Sequence, residues 1–299
     1  MKLGIIGVGS VGGAIASRIV ASCAPHEIVL IDTNAKRANA AAGDLSHASV
    51  FGENIKIISG NYRALSDADI IIISAGANQK IGQTRDELVQ VNANVMLDVV
   101  PKIMNFADRK NVILIVVTNP LDSMTTAVQK LSRLPNERVI GTGTMLDSAR
   151  LRYELAHHFD ISPHSIDAFV LGEHGDTSVI NWDSVSIDGI LLKEFVTRTK
   201  IPFTEKMKLD MIGRVHNAAY AIIDGRGATW DGIAAVTTDL VKCISNDERR
   251  VMPVSIVDGN HVAYSLPRTV GKKGVISTFP QPNISECIKT IKKTYRIIA

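Results

Sequence analysis

A histidine and an aspartate in the second half of the chain have the types and setting that acid–base chemistry needs. His174 lies between Gly172 and Gly175, where the backbone is freely approached. A lone histidine is usually structural, so the prediction depends on Asp147. If the carboxylate of Asp147 packs against His174, it would fix the tautomer of the imidazole and raise its pKa. The histidine would then be a proton donor near neutral pH. Arg150 would share the helix face of Asp147, and its planar guanidinium suits a carboxylate. Together these residues predict proton transfer on an anionic substrate.

A polar segment from Gly76 to Arg85 follows a predicted buried strand. Ligands of open α/β sheets bind at the carboxyl ends of the strands, so this segment is well placed to contact one. Gly76 and Gly82 bracket a stretch that could close as a lid, with Gln79 inside it and Arg85 near its base. Taken alone, the same residues are more typical of a surface loop.

Asn119 follows the next predicted strand and precedes Pro120. A residue before proline is biased toward extended geometry. Its amide could therefore meet a substrate oxygen, or the segment could simply be a turn between a strand and a capped helix.

Three glycines near the amino terminus have the spacing of a dinucleotide-binding turn. Gly7, Gly9 and Gly12 follow an apolar strand and open a helix. The first glycine permits the tight turn, the second lets the backbone approach a pyrophosphate, and the third lets helix and strand pack closely. The helix amino terminus then offers free N–H groups to the phosphates. An ordinary tight turn is the alternative.

Asp32 ends the next predicted strand, 20 residues after Gly12. A carboxylate at this place accepts hydrogen bonds from a ribose diol and repels a 2′-phosphate, which favours NAD over NADP. Lys36 and Arg37 could tolerate a 2′-phosphate, but this argument is weaker than the one from the carboxylate.

The elements that must position these residues follow from hydrophobic patterning. Unbroken Ile- and Val-rich runs alternate with amphipathic stretches in the first half, which predicts a doubly wound parallel sheet of the Rossmann type. The predicted strands there are residues 3–8, 28–31, 55–58, 70–74 and 112–117, and the predicted helices are residues 11–22, 34–49, 86–109 and 121–131.

The second half shows a mixed pattern that predicts an α+β domain. Its predicted helices are residues 147–159, 204–224, 229–245 and 283–297, and its predicted strands are residues 165–171, 179–187, 251–257 and 262–266. We therefore expect an NAD-binding domain over residues 1–143 and a catalytic, substrate-binding domain over residues 144–299. No flexible linker separates them, so they should share a large interface.

Composition excludes several other classes of protein. The 299 residues are 45% hydrophobic and 21% charged, as in ordinary globular proteins. Basic residues exceed acidic ones by only three and are scattered, so no nucleic-acid partner is expected. Apolar runs fall far short of the ~18 residues of a membrane span. Three cysteines and no metal-binding motif favour a reducing cytoplasm, with neither disulfides nor a metal.

The motifs together resemble the L-lactate/L-malate dehydrogenase family over essentially the whole chain. They read GVGSVGG, VLIDTN, DLSHAS, AGANQKIGQTR, VTNPLD, GTGTMLDSARLR, LGEHGD and GATWDGIA. The resemblance implies reversible hydride transfer between NAD and a 2-hydroxy acid. It implies that His174 is the proton donor and acceptor, that Asp147 orients it, and that Arg150 binds the substrate carboxylate. It further implies that Arg85 polarises the reacting carbonyl and that Asn119 helps to hold the substrate.

The resemblance also assigns residues that contact the pocket and the cofactor. Thr229 would flank the substrate, and Ile233 would pack near the nicotinamide. The complete set implied for cofactor binding is Gly7, Gly9, Val11, Gly12, Asp32, Gly76, Ala77, Asn94, Thr118, Asn119 and Ile233.

Two positions favour pyruvate and L-lactate over oxaloacetate and malate as the substrate pair. Malate dehydrogenases carry an arginine where this chain has the neutral Gln79, which would leave a second carboxylate without a counter-charge. Thr229 is likewise what a lactate dehydrogenase carries. Lys80 is expected to face solvent, although a charge turned inward would weaken the argument.

Two departures from the commoner family pattern keep alternatives open. Ile81 stands where proline is usual in the lid, and Asp231 stands where an aromatic or apolar residue is usual. A broader dehydrogenase of the 2-hydroxyisocaproate type, a malate dehydrogenase and a non-catalytic NAD-binding protein therefore remain possible.

Assembly and regulation are also addressed by the resemblance. The helix that carries residues 44–47 resembles the family's dimer-contact helix, which predicts a homo-oligomer, either a dimer or a homotetramer. Relatives activated by fructose 1,6-bisphosphate pair an arginine with a histidine across an interface. Arg152 matches the arginine, but Asp167 replaces the histidine and would repel a phosphate, so this effector site should be absent or weak.

Overall fold

A computed structural model describes residues 1–23, 25–77, 85–259, 261–279, 281 and 285–295, without the side chains of residues 85, 86, 286 and 294. Within them, a parallel sheet of six strands fills the first half, and its spatial order of 3-2-1-4-5-6 confirms the Rossmann-type prediction. The strands are β1 (Lys2–Ile6), β2 (Glu27–Ile31), β3 (Lys56–Ser59), β4 (Ile70–Ile73), β5 (Ile113–Val116) and β6 (Val139–Gly141). The helices are α1 (Ser10–Ser22), α2 (Ala35–Ser49), α3 (Arg85–Met104) and α4 (Leu121–Ser132).

The central strands are buried on both faces, as their sequences require. All four residues of β4 are isoleucine and all are buried. A strand covered on both sides by helices has no solvent face, so it lacks polar alternation. This pattern made the first five strands predictable, whereas the short β6 was not expected.

The second half begins at α5 (Met145–Phe159) and adds three strands to the same sheet. Its small strands are β7 (Ile166–Asp167), β8 (Val170–Leu171), β9 (Val179–Ile180), β10 (Ser186–Ile187) and β11 (Ile190–Leu191). Its remaining helices are α6 (Leu192–Thr199), α7 (Glu205–Arg226), α8 (Asp231–Ser245) and α9 (Ser285–Tyr295). The long strands are β12 (Arg250–Val257), β13 (Ala263–Gly271) and β14 (Gly274–Thr278).

The sheet continues across the expected domain boundary. β12 pairs antiparallel with β6, with Ser255 opposite Gly141, and β13 and β14 follow outward. A single hydrophobic cluster accordingly joins Leu3 and Ile5 of β1 to Leu240 of α8 and residues of β12. The two halves are thus joined by main-chain hydrogen bonds as well as by packing. No helix of the described residues is long and apolar enough to cross a membrane.

Candidate active site

His174 and Asp147 form the close pair that acid–base chemistry requires. Nδ1 of His174 lies 2.6 Å from Oδ2 of Asp147, and Nη1 of Arg150 donates to the other carboxylate oxygen at 3.0 Å. Asp147 is in the first turn of α5, and His174 is in the loop after β8. The carboxylate is 10% exposed and the imidazole 27% exposed, so the imidazole is the more accessible of the two groups. The structure thus brings all three predicted residues together.

The ionisation of this pair is coupled. Burial alone would lower the pKa of His174, but the charge and hydrogen bond of Asp147 outweigh burial and hold it above the ordinary value. Burial alone would raise the pKa of Asp147, yet His174 and Arg150 lower it below its usual range. The pair therefore favours an imidazolium beside a carboxylate. Near neutral pH the histidine accordingly holds a proton that it can donate.

A second buried carboxylate lies behind the histidine, and no role was assigned to it from sequence. Oδ2 of Asp122, in the first turn of α4, accepts the backbone N–H of His174 at 2.8 Å. Its Oδ1 accepts the hydroxyl of Ser255 on β12 at 2.6 Å. Burial raises the pKa of Asp122 to about 6, although both hydrogen bonds and His174 oppose the rise. The available signal was its place in the VTNPLD motif.

The loop that carries His174 is also fixed on both sides of the histidine. Gly172, at a φ of +89°, exchanges two backbone hydrogen bonds of 2.8 Å with Ser265 of β13. Further along, Thr177 donates its hydroxyl to Glu173 at 2.5 Å, and its carbonyl accepts the thiol of Cys287 at 2.7 Å. An added Cβ at Gly172 would lie 2.5 Å from the sulfur of Cys287. The imidazole is consequently presented by a firmly held backbone.

The glycine turn has the geometry that a pyrophosphate site needs. Gly7 has a φ of +89°, and an added Cβ there would lie 2.7 Å from the backbone of Ala75. An added Cβ at Gly12 would lie only 1.9 Å from the carbonyl oxygen of Gly7. At Gly9, by contrast, a Cβ would meet no described atom within 4 Å, and this residue caps the amino terminus of α1 without a side chain. The turn is therefore closed toward the sheet and open toward a ligand. Val11 packs beside it against the main core.

Asp32 stands at the end of β2 with acceptor capacity to spare. One oxygen accepts the N–H of Val8 and the other accepts the N–H of Asn34, each at 2.8 Å. Each oxygen of a carboxylate has a second acceptor site. Arg37 lies 3.7 Å from Asp32 and is 54% exposed. These residues fit an adenosine ribose diol, and the glycine turn beside them fits a dinucleotide.

A buried asparagine, Asn92, ties the two polar strand ends together. Its side chain accepts the N–H of Ala77 at 2.7 Å and donates to the carbonyls of Ala77 and Asn119 at 3.2 and 2.6 Å. Asn94, assigned to cofactor binding from the resemblance, is instead exposed on α3. Residues two apart on a helix point in nearly opposite directions, so Asn94 lies on another face of α3 than Asn92, and its assignment to the cofactor stays a prediction. Patterning could have found Asn92, which lies on the apolar face of α3.

The strand ends themselves lie where the sequence placed them. The hydroxyl of Thr118 donates to the carbonyl of Ala75 at 2.8 Å, and an added Cβ at Gly76 would lie 2.5 Å from the methyl group of Thr118. Asn119, whose peptide bond to Pro120 is cis, is exposed beside them. The carboxyl ends of β4 and β5 thus form one polar edge.

The residues around Thr229 lie at the start of α8. Thr229 is half-buried just before the helix, and Ile233, like Val11, packs against the cluster that contains Val8. Asp231 is 70% exposed and pairs with Arg226 at 2.8 Å. Its carboxylate is therefore satisfied at the surface.

Several predicted site residues lie outside the described residues. They are Gln79, Lys80 and Ile81, together with the side chain of Arg85, whose backbone begins α3. Among the residues that are described, no group of three or more His, Cys, Asp or Glu is arranged to hold a metal ion.

Fold and site together define an NAD-dependent oxidoreductase, because a Rossmann sheet with an NAD-type turn carries a charged His–Asp pair at the same sheet edge. Comparison with known proteins gives the family. Residues 1–141 match the lactate/malate dehydrogenase NAD binding domain, and residues 144–294 match the alpha/beta C-terminal domain of the same family. The chain belongs to the lactate/malate dehydrogenase family.

Similar proteins include two curated L-lactate dehydrogenases. The one from Thermus aquaticus is 42% identical over 292 residues, covering 96% of this chain and 94% of the relative. One from Clostridium botulinum is 37% identical over 279 residues, covering 92% and 87%. Among solved structures, the minor L-lactate dehydrogenase of Enterococcus mundtii has a TM-score of 0.92 at 34% identity, covering 99% and 97%. A lactate dehydrogenase from a deep-sea metagenome library of the Medee basin has a TM-score of 0.94 at 31% identity, covering 99% and 98%.

Proposed function

We propose that this chain reversibly reduces pyruvate to L-lactate with NADH. The observation that carries the proposal is the carboxylate of Asp147, which holds His174 at 2.6 Å and Arg150 at 3.0 Å at the edge of a dinucleotide-binding sheet. A module that only binds NAD has no need of a proton donor beside a guanidinium. The names of the similar proteins support the same activity.

His174 is the proton donor in this proposal. Its Nδ1 is engaged by Asp147, so Nε2 is the nitrogen that faces the substrate. As negative charge develops on the C2 oxygen of pyruvate, Nε2 gives up its proton, and Asp147 stabilises the imidazolium until that moment. In the reverse direction the neutral imidazole takes the proton of the lactate hydroxyl. Bound NADH supplies the hydride to C2.

Arg150 binds the carboxylate of the substrate. One of its N–H groups is used by Asp147, and the guanidinium retains further donors in a planar fork. Because the same aspartate holds both residues, the substrate carboxylate and the proton donor are placed at a fixed separation. Arg85 polarises the carbonyl, and Asn119 and Thr229 complete the pocket.

Gln79 sets the preference for pyruvate. A neutral side chain leaves the second carboxylate of oxaloacetate without a counter-charge in a closed site, which is costly. The methyl group of pyruvate, which takes the place of that carboxylate, needs no counter-charge. Asp231 does not oppose a small apolar substrate, because it is exposed and paired with Arg226.

Initial rates of NADH oxidation on pyruvate, oxaloacetate and 2-oxoisocaproate test the proposal. We expect a strong preference for pyruvate. The variant His174→Ala should lose about 10³-fold in kcat, because general acid catalysis contributes 10²–10⁴-fold, while NADH still quenches its fluorescence. His157→Ala is the matched control, since His157 is exposed on α5. Preference for oxaloacetate, or comparable rates on the bulky acid, would overturn the assignment of substrate.

We further propose that the protein is a cytoplasmic homo-oligomer. Val50 and Phe51, after the end of α2, are 78% and 95% exposed, and Leu209 and Tyr220 of α7 are 68% and 64% exposed. Apolar side chains so exposed are typical of surfaces that a second copy covers. Light scattering after gel filtration should show a smaller species for Phe51→Ser than for a Lys193→Ser control. An odd number of cysteines with no close pair in the sequence supports a reducing compartment.

We also propose that the activator site for fructose 1,6-bisphosphate is absent or weak. Asp167 is exposed on β7, so its negative charge would meet the phosphate directly. Rates measured with and without the bisphosphate at low pyruvate should agree. Saturable activation would show that the proposal is wrong.

A further inference from the structure

The carboxylate of Asp122 has a buried position that the proposed chemistry has not yet used. It is 4% exposed, and both of its oxygens accept hydrogen bonds, from the backbone N–H of His174 at 2.8 Å and from the hydroxyl of Ser255 at 2.6 Å. A buried carboxylate is costly, and one hydroxyl and one amide are modest compensation for it. A nearby positive charge would add to that compensation, and the imidazolium of His174 acts on Asp122 in this way.

We propose that Asp122 is a positioning residue that anchors the backbone of His174 and, together with Asp147, keeps its imidazole protonated for the reaction. The inference rests on the proposed function. Asp147 contacts the imidazole ring directly at Nδ1. Asp122 instead accepts a hydrogen bond from the backbone N–H of His174 and acts on the ring through its negative charge. Ser255 holds the far oxygen of Asp122 and so orients the carboxylate toward the loop.

The connection joins three parts of the fold. Asp122 lies on α4 in the first half, His174 lies in the loop after β8, and Ser255 lies on β12, opposite Gly141 of β6. The proton donor is therefore placed relative to the NAD-binding half through one side chain. Positions of the other charged groups are consistent with the role. Among the described residues, those that act on the imidazole are Asp147 and Arg150 of α5 and Asp122 of α4, and Glu173, from the loop of the histidine, acts on Asp122.

The mutual influence of the two groups has the sign that the proposal requires. The negative charge of Asp122 favours the imidazolium and raises the pKa of His174, and the imidazolium in turn lowers the pKa of Asp122. Burial still dominates for Asp122 and leaves its pKa at about 6. The carboxylate is therefore charged at neutral pH and becomes neutral on mild acidification.

The variant Asp122→Asn tests charge separately from geometry. The amide oxygen can still accept the N–H of His174, and the amide nitrogen can donate to the hydroxyl oxygen of Ser255 once that hydroxyl rotates. Only the charge is removed, and an uncharged group is easier to bury, so the variant should fold. Ser255→Ala is the matched control, because it removes one hydrogen bond and keeps the charge.

The first readout is the pH dependence of kcat/KM for pyruvate reduction. Asp122→Asn should lose about three- to tenfold at about pH 8.5 and almost nothing at about pH 5.5, because wild-type Asp122 is itself neutral there. Ser255→Ala should lose little at about pH 8.5, where Asp122 keeps its charge, although loss of the hydrogen bond raises the pKa of Asp122. A uniform loss in Asp122→Asn, with its pH profile unmoved, would overturn the inference and leave Asp122 a purely structural residue.

The second readout does not need turnover. Diethyl pyrocarbonate modifies neutral imidazole, and mass spectrometry of the peptide that contains His174 reports the rate at each pH. The modification rate of His174 should rise with pH as the imidazole loses its proton. We expect the midpoint of that rise to lie at lower pH in Asp122→Asn than in wild type and in Ser255→Ala. An unchanged midpoint would overturn the inference. If wild type failed to reduce pyruvate, the proposed function would fail, and this titration would still decide the role of Asp122.

Discussion

Replacing Asp147 by asparagine keeps His174 in place but removes the negative charge that favours its protonated form. The variant therefore tests the role of His174 as a proton donor. The carboxylate contacts Nδ1 at 2.6 Å and is 10% exposed, so its charge is only weakly screened by solvent. Charge centres about 4 Å apart interact by about 4 kcal/mol at an effective dielectric constant of 20. Because about 1.4 kcal/mol corresponds to a tenfold change, full loss of this interaction would cost about 10³-fold. We expect kcat/KM for pyruvate to fall by about 10²–10³-fold, since the amide retains part of the hydrogen bonding.

The direction of the pH effect follows from the same contact. Asp147 is the main group that raises the pKa of His174, so its neutralisation should move the basic limb of the pyruvate-reduction profile to lower pH. Steady-state rates over about pH 5.5–9 measure the limb, and NADH fluorescence titration checks that the cofactor site is intact. Asp160→Asn, at the exposed end of α5, is the matched control. A loss below tenfold with an unmoved limb would refute the reasoning.

Three further predictions concern specificity, backbone fit and stability. Gln79→Arg should shift the ratio of kcat/KM toward oxaloacetate by about 10²-fold or more, whereas Lys80→Gln should leave wild-type preference unchanged, as steady-state rates on both acids will show. Gly12→Ala should lower Tm sharply, because its Cβ would lie 1.9 Å from a carbonyl oxygen, while Gly13→Ala, with no described atom within 4 Å of its Cβ, should keep or raise Tm in calorimetry. Folding raises the pKa of Asp122 from 3.8 to about 6, so its contribution to stability is most favourable below about pH 4 and is lost as pH rises through 6. Asp122→Asn should therefore be more stable than wild type at about pH 8, by up to about 3 kcal/mol in urea titrations, and the difference should vanish near pH 4; a destabilised variant at about pH 8 would contradict this.

Most strands and helices of the NAD-binding half could be predicted from the sequence, because the patterns that indicate them are local. The central strands β4 and β5 are unbroken apolar runs, and the polar turns that follow them lie directly after those runs. The same locality made His174, Asp147 and Arg150 recognisable, since two of them share one helix turn and the third sits in a glycine-flanked loop. The contact between Asp147 and His174 could not be predicted itself, because the two residues are 27 positions apart. The catalytic role of His174 was therefore predicted on the assumption that this contact forms.

Features that depend on long-range pairing were not predictable in the same way. β13 contains Pro267 and the fully buried Arg268, which interrupt its apolar pattern, so only its first part was expected as a strand. Asp122 looked like an ordinary residue of a helix's first turn, and its bond to Ser255 spans 133 positions.

The continuous sheet has a consequence for how the chain folds and how it can be divided. β6 hydrogen-bonds to β5 on one side and to β12 on the other, and one core cluster contains residues from β1 and β12. Cutting the chain near residue 143 would leave β6 and β12 each with an open row of N–H and C=O groups and would uncover the shared apolar face. Such edges recruit other chains, so each fragment alone should aggregate. We therefore expect the two family segments to unfold together, in one calorimetric transition.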